Sequence, residues 1–205
     1  MGASRQTLVT LDLEGVLVPE IWIAVAERTG IDELCRTTRD EPDYDVLMRG
    51  RLELLDRHGL GLPDVCSVIS TLSPLDGARS FLDELRRRTQ VVILSDTFEQ
   101  FAGPLMAQLG WPTILCHRLE VTGDRITGYR LRQPDQKRCA VRAFQGLQYF
   151  VVAAGDSYND TTMLGQADVG FLFRSPPNVR AEFPQYPAHE EYDDLLTAIS
   201  AALDG

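Results

Sequence analysis

Three apolar runs in this chain each end in acidic residues. Leu8-Val9-Thr10-Leu11 leads into Asp12-Leu13-Glu14-Gly15, and Val91-Val92-Ile93-Leu94 leads into Ser95-Asp96-Thr97. Phe150-Val151-Val152-Ala153-Ala154 leads into Gly155-Asp156-Ser157-Tyr158-Asn159-Asp160. Short apolar, β-branched runs with a polar stop read as strands buried on both faces, as in a parallel sheet. Open parallel sheets bind ligands beyond the carboxyl ends of their strands, so the three strings are expected to share one crevice. Carboxylates gathered in a low dielectric repel unless a cation lies between them. An all-oxygen ligand set suits a hard ion such as Mg²⁺, and such a site suits phosphate chemistry.

The stretch between the first two runs has a different character. Ile21, Trp22, Val25 and Ala26 recur at helical spacing and stop at Thr29-Gly30. A short helix over 31–36, a longer one through Val46, Leu47, Leu52, Leu54 and Leu55, and a third opened by Pro63-Asp64 complete a block without a strand pattern. After Pro74 strands and helices alternate: helices over 78–88, 99–109 and 137–146, strands over 113–116, 119–121, 126–131 and 169–173, and a terminal helix over 192–203. The expectation is an α/β fold, a doubly wound, mostly parallel Rossmann-like sheet. Its core spans 1–16 and 75–205, and an inserted helical unit spans 17–74.

Composition narrows the partners. Thirty acidic against twenty basic residues leave a net charge of −10, which argues against non-specific binding to nucleic acid or an anionic membrane surface. A phosphate substrate must then be held by local positive charge. Lys137, at the start of a predicted helix whose N-terminus also favours anions, is the candidate. Ser95 either donates a hydrogen bond to a phosphate oxygen or caps the helix that follows. Four cysteines without metal-ligand spacing, none matched to His58, His117 or His189, are expected as reduced, mostly buried thiols. No apolar stretch reaches membrane-spanning length and residues 1–6 lack a signal-peptide core, so the cytoplasm is the expected location. Trp22, Tyr44 and Trp111 are expected in the core, and the oligomeric state is left open, a homodimer included.

Taken in order, Asp-Leu-Glu-Gly-Val, Leu-Ser-Asp-Thr-Phe, a later lysine and Gly-Asp-Ser-Tyr-Asn-Asp resemble the four motifs of the haloacid dehalogenase-like phosphatases. The helical insertion after the first motif resembles their type 1 cap. Within that superfamily the strings at 17–24, 42–48 and 153–164 resemble the phosphoserine phosphatases, above all those that also act as phosphoserine:homoserine phosphotransferases. The resemblance implies Asp12 as a nucleophile that becomes an aspartyl-phosphate and Glu14 as general acid/base. It implies Mg²⁺ on Asp12, the Glu14 carbonyl and Asp156. Ser95, Lys137 and Asn159 would bind the phosphoryl end, with Asp160 in support. Glu20 would meet the substrate ammonium and Arg51 its carboxylate, with Arg49 as competitor. Asp96 would contact the amino end of the substrate or an alcohol acceptor. The expected partners are therefore phosphoserine and homoserine. The chain departs from the common pattern in carrying Glu14 where an aspartate is usual. Hydrolysis of another small phosphomonoester and a receiver-like phospho-aspartate switch are the alternatives, although a receiver has no sixty-residue helical insertion.

Overall fold

The computed structural model describes residues 5–37, 40–41 and 43–204. Residues 1–4, on which the reading of the N-terminus rests, and Pro42 of the 42–48 string lie outside them. The chain runs β1 (Thr7–Leu11), α1 (Ile21–Thr29), a 3-10 turn (Asp32–Cys35), α2 (Tyr44–Arg57), α3 (Leu62–Ile69) and α4 (Ala78–Arg88). It continues through β2 (Gln90–Phe98), α5 (Glu99–Gln108), β3 (Thr113–Thr122), β4 (Arg125–Arg130), α6 (Gln136–Gly146) and β5 (Phe150–Gly155). The remainder is α7 (Thr161–Gln166), β6 (Val169–Phe173), α8 (Pro177–Glu182), β7 (Ala188–His189) and α9 (Tyr192–Asp204).

The strands form one sheet in the order β4-β3-β2-β1-β5-β6-β7, parallel except for the β3–β4 hairpin. The chain leaves β1 toward β2 and β3 on one side and returns to β5 and β6 on the other. The switch point therefore falls between β1 and β5, where such folds open a binding crevice. Alternation along β1 sends Val9 and Leu11 to one apolar layer, with Phe81, Leu82, Phe101 and Leu195. Leu8 faces the other layer, with Val141, Met163 and Val179. Both faces are thus covered, as the unbroken apolar runs require.

Two of the expected strands are longer than their sequence signals. The strands read over 113–116 and 119–121 are one, β3, because Cys116 and His117 stay extended and buried. β2 runs on through Ser95-Asp96-Thr97 instead of stopping at Leu94. Leu94 pairs with Leu115 and Phe98 with His117, so four steps on β2 match two on β3 and the acidic string bulges out of the ladder. Ser95 consequently caps nothing: the residue preceding α5 is Phe98. The short α8 and β7 carry too few apolar repeats to be visible in sequence.

Helices α1 to α3 occupy the connection between β1 and α4, and the hairpin braces them. Asp124 accepts from the Leu62 N–H at 2.7 Å, Arg125 pairs with Asp56 at 2.6 Å, and the Tyr129 hydroxyl bonds to Asp45. Of the three aromatic residues expected in the core, Trp111 is instead 69% exposed after α5, while Trp22 and Tyr44 line the cleft described below. The four cysteines are free, but only Cys116 is buried, and Cys35 is exposed at the end of the 3-10 turn. No helix among the described residues is long and apolar enough to cross a membrane.

Candidate active site

A cleft of about 900 Å³ opens at the carboxyl ends of β1, β2 and β5. Asp12 follows β1 directly, and its N–H donates to Ala154 of β5 at 3.0 Å, which carries the β1–β5 ladder up to the cleft floor. Its Oδ1 accepts from the Leu13 N–H at 2.8 Å and lies 2.9 Å from Lys137 Nζ. Gly15 then turns the chain at φ +77°, and a Cβ there would sit 2.7 Å from Asp156 Oδ2. Only glycine lets the β1 loop lie against the β5 carboxylate.

Asp12, Asp156 and Asp160 are buried, with ligand-capable oxygens all within 4.8 Å of one another. Their oxygens differ in commitment. Asp160 Oδ1 takes Lys137 Nζ at 2.7 Å, and its Oδ2 takes the N–H groups of Asp156 and Ser157 at 2.9 and 3.1 Å. Asp160 therefore builds the loop and anchors the lysine. Gly155 makes room for it, since a Cβ there would meet the Asp160 carboxyl group at 2.3 Å.

The charge balance fits a cation. Burial and the neighbouring Asp160 raise the Asp12 carboxyl well above its ordinary value despite Lys137, and the same two causes push Asp156 up to about 7. Burial alone would lower the Lys137 ammonium, but Asp12, Asp160 and Asp96 outweigh it and raise it strongly. One lysine shared among these carboxylates leaves surplus negative charge in a buried, all-oxygen setting, the donor chemistry of a hard divalent ion. Asp12 and Asp156 are the side chains suited to hold it.

Glu14 also lines the cleft. Its Oε2 accepts from the Ile21 N–H at 2.9 Å, so it caps the first turn of α1. Burial, then repulsion from Glu20, pushes its carboxyl up to about 7. Glu20, the residue preceding α1, also lines the cleft. Arg51 of α2 is 8% exposed, stacks 4.6 Å over the Trp22 ring, and donates to the Arg36 carbonyl at 2.8 Å. Its Nε is buried without a partner, and burial, opposed by Glu14, draws its pKa down to about 10. Arg49 is exposed and donates to the Asp45 carbonyl on its own helix. Of the two arginines, Arg51 is the one that lines the cleft.

The β2 bulge delivers Ser95 and Asp96. Ser95 is buried, and its Oγ accepts from the Thr97 N–H at 3.2 Å, leaving its proton to donate. Asp96 lines the cleft, and its carboxylate is engaged by protein groups. Its Oδ1 accepts from Gln136 Nε2 at 3.2 Å and His117 Nε2 at 3.3 Å, and its Oδ2 accepts from Asn159 Nδ2 at 2.9 Å with Lys137 Nζ 3.6 Å away. Three protein donors thus hold the Asp96 carboxylate, and the Lys137 ammonium lies close enough to pair with it by charge. Those donors overcome the effect of burial and hold Asp96 well below the usual carboxylate range. The sequence reading missed His117, Gln136, Trp22 and Tyr44, whose hydroxyl donates to the Asp96 carbonyl at 3.1 Å. His117 sits on β3, from which the sequence reading drew no site residue, whereas Gln136 and Tyr44 share α6 and α2 with Lys137 and Arg51.

Fold and site together define an enzyme of the hydrolase class, with carboxylates and a buried lysine at the switch point of a doubly wound sheet. The chain belongs to the haloacid dehalogenase-like hydrolases: the model of that family matches residues 63–165. Over 186 residues it is 65% identical to phosphoserine phosphatase ThrH of Pseudomonas aeruginosa, covering 90% of this chain and 91% of that one. It is 62% identical to a phosphoserine phosphatase of Pseudomonas syringae pv. tomato, covering 95% and 83%. In fold it is similar to a phospho-aspartyl intermediate analogue of phosphoserine phosphatase, with a TM-score of 0.78 at 20% identity over 95% of this chain and 99% of that one. A substrate-bound phosphoserine phosphatase complex gives a TM-score of 0.76 at 20% identity, over 92% and 94%.

Proposed function

We propose that this protein is a Mg²⁺-dependent phosphoserine phosphatase working through an aspartyl-phosphate on Asp12, and that it also passes the phosphoryl group to homoserine. The substrate reading rests on the relatives named phosphoserine phosphatase. The observation that carries the mechanism is Asp12, held by Lys137 and the Leu13 N–H beneath a wall that presents Glu14. In this reading residues 17–74 form a cap over a core of 1–16 and 75–205.

Asp12, the Glu14 carbonyl and Asp156 would hold Mg²⁺, which when bound screens the carboxylates from a phosphate dianion. Asp12 attacks phosphorus as the ester bond to the serine oxygen breaks, and protonated Glu14 donates its proton to that oxygen. Glu14, now a carboxylate, takes a proton from water, whose oxygen attacks the acyl phosphate and regenerates Asp12. If homoserine stands in place of water, Glu14 takes the hydroxyl proton and the product is phosphohomoserine. Lys137 Nζ and the Ser95 hydroxyl hold the transferring group. Asn159, fixed by Asp96, borders it. The buried Arg51 matches the substrate carboxylate and Glu20 its ammonium.

The test measures phosphate and phosphohomoserine formation from phosphoserine, with and without homoserine, in Mg²⁺ and in EDTA. Phosphate release that needs Mg²⁺ and is partly diverted to phosphohomoserine supports both activities. Release unaffected by Asp12→Asn rejects the nucleophile.

A further inference from the structure

We infer that His117 is a positioning residue for the phosphoryl end of the site, acting through Asp96. The inference rests on the phosphatase reading and adds to it a residue that touches no reacting atom. His117 lies on β3 directly opposite Phe98, where the bulge of β2 rejoins the ladder, and it is 4% exposed. Its Nδ1 accepts the Arg132 N–H at 3.2 Å. A neutral imidazole that accepts at one nitrogen carries its proton on the other. Nε2 is therefore a donor, set by the main chain, and it lies 3.3 Å from Asp96 Oδ1. The rings of Tyr44 and Phe98 pack against the imidazole, with centroids 6.1 and 6.3 Å away, and keep it from turning.

Asp96 gains a fixed orientation from this. It lies on a bulged segment outside the regular ladder, so side-chain donors must hold it. With Oδ1 pinned by His117 and Gln136, Oδ2 is presented to Asn159 and Lys137. Lys137 spans Asp12, Asp160 and Asp96, and the direction of its Nζ depends on all three staying in place. Loss of the imidazole N–H frees Asp96 to rotate about its side-chain bonds. Asn159 and Lys137 shift with it, and displacements of this size are costly where a group must be held for transfer.

His117→Leu and His117→Gln separate positioning from packing, because glutamine can return an N–H toward Asp96 and leucine cannot. Both variants and the parent are assayed with p-nitrophenyl phosphate and with phosphoserine, and inhibition by inorganic phosphate and by L-serine is measured. The expected result for His117→Leu is a kcat lowered about tenfold on both substrates and inhibition by phosphate weakened by a similar factor. Inhibition by L-serine, which reads the cap-side clamp, stays unchanged. His117→Gln recovers most of both losses. Parent-like kcat and phosphate inhibition in His117→Leu would overturn the inference. So would failure of His117→Gln to recover, or weakening of L-serine inhibition in step with phosphate. If the parent turns over p-nitrophenyl phosphate but not phosphoserine, the substrate reading fails while the His117 comparison still decides on the first substrate and phosphate.

Discussion

Glu14 Oε2 accepts a hydrogen bond from the Ile21 N–H at 2.9 Å, tying the residue assigned as acid and base to the first turn of α1. The extra methylene of glutamate over aspartate provides this reach from the β1 loop. Helix N-termini favour negative charge, so the bond offers the carboxylate a partner at the start of α1 while burial and Glu20 favour the neutral acid.

Glu14→Gln keeps an oxygen for the Ile21 N–H but can neither give nor take the proton. The expected outcome is a kcat on phosphoserine lowered by about 10²- to 10⁴-fold, with KM changed far less. Phosphoenzyme trapped by acid quench distinguishes the halves of the reaction. A leaving group that needs no proton, such as p-nitrophenol, should recover much of the first half. Equal losses in the rate of phosphoenzyme formation from the two substrates would count against the acid role.

Metal-free protein should lose stability as pH rises from about 4 to about 7. Glu14 and Asp156 are both pushed up to about 7 in the folded state, whereas in the unfolded chain such groups titrate near about 4. Between those values the folded state binds more protons, so the slope of unfolding free energy with pH is negative. In EDTA the Tm is expected to fall by several °C between about pH 5 and about pH 8, at roughly 2–4 °C per kcal/mol for a chain of this size. Mg²⁺ should oppose the fall, because it favours the ionised form of the same groups. A Tm that rises across that interval in EDTA would contradict the arrangement.

Much of this was legible in the sequence because the strands that matter are buried on both faces. A continuous apolar run stops where the chain meets the crevice, so Asp12, Asp156 and the Ser95-Asp96 pair could be placed without coordinates. Helical periodicity likewise located α1 to α3 nearly to the residue. What stayed hidden depends on register and rotation. The bulge in β2 leaves no mark in its composition, yet it turns Asp96 toward His117 and Gln136. Arg49 and Arg51 share a helix two residues apart, and only packing against Trp22 shows which one enters the cleft. Trp22 and Tyr44 carry the apolar signature of core residues and are partly that. The ring face that Trp22 gives to Arg51 and the hydroxyl that Tyr44 gives to Asp96 become visible only with their neighbours in place.

Gly15→Ala should damage the ion site more than the fold. A left-handed residue other than glycine costs about 1–2 kcal/mol, and the new Cβ must also push the Asp156 carboxylate from its 2.7 Å approach. Calorimetric titration is expected to show Mg²⁺ binding weakened by about tenfold or more, with a smaller change in unfolding midpoint in EDTA. Binding unchanged from the parent would mean that Asp156 does not need this seat.

Arg51→Met tests the assignment of the substrate carboxylate. A buried guanidinium stacked on Trp22, with Nε unsatisfied by protein, is prepared for a planar anion. Truncating one partner of a buried charged pair costs about 2–5 kcal/mol. KM for phosphoserine is therefore expected to rise by roughly 30-fold or more. p-Nitrophenyl phosphate has no carboxylate, and its KM should move by less than about threefold. Arg51→Lys should recover only part of the loss, because an ammonium cannot reproduce the fork. Trp22→Leu should give a milder version of the same selective defect, since it removes the surface that keeps the guanidinium flat. An equal rise in KM on both substrates would show that Arg51 holds up the wall of the cleft without reading the carboxylate.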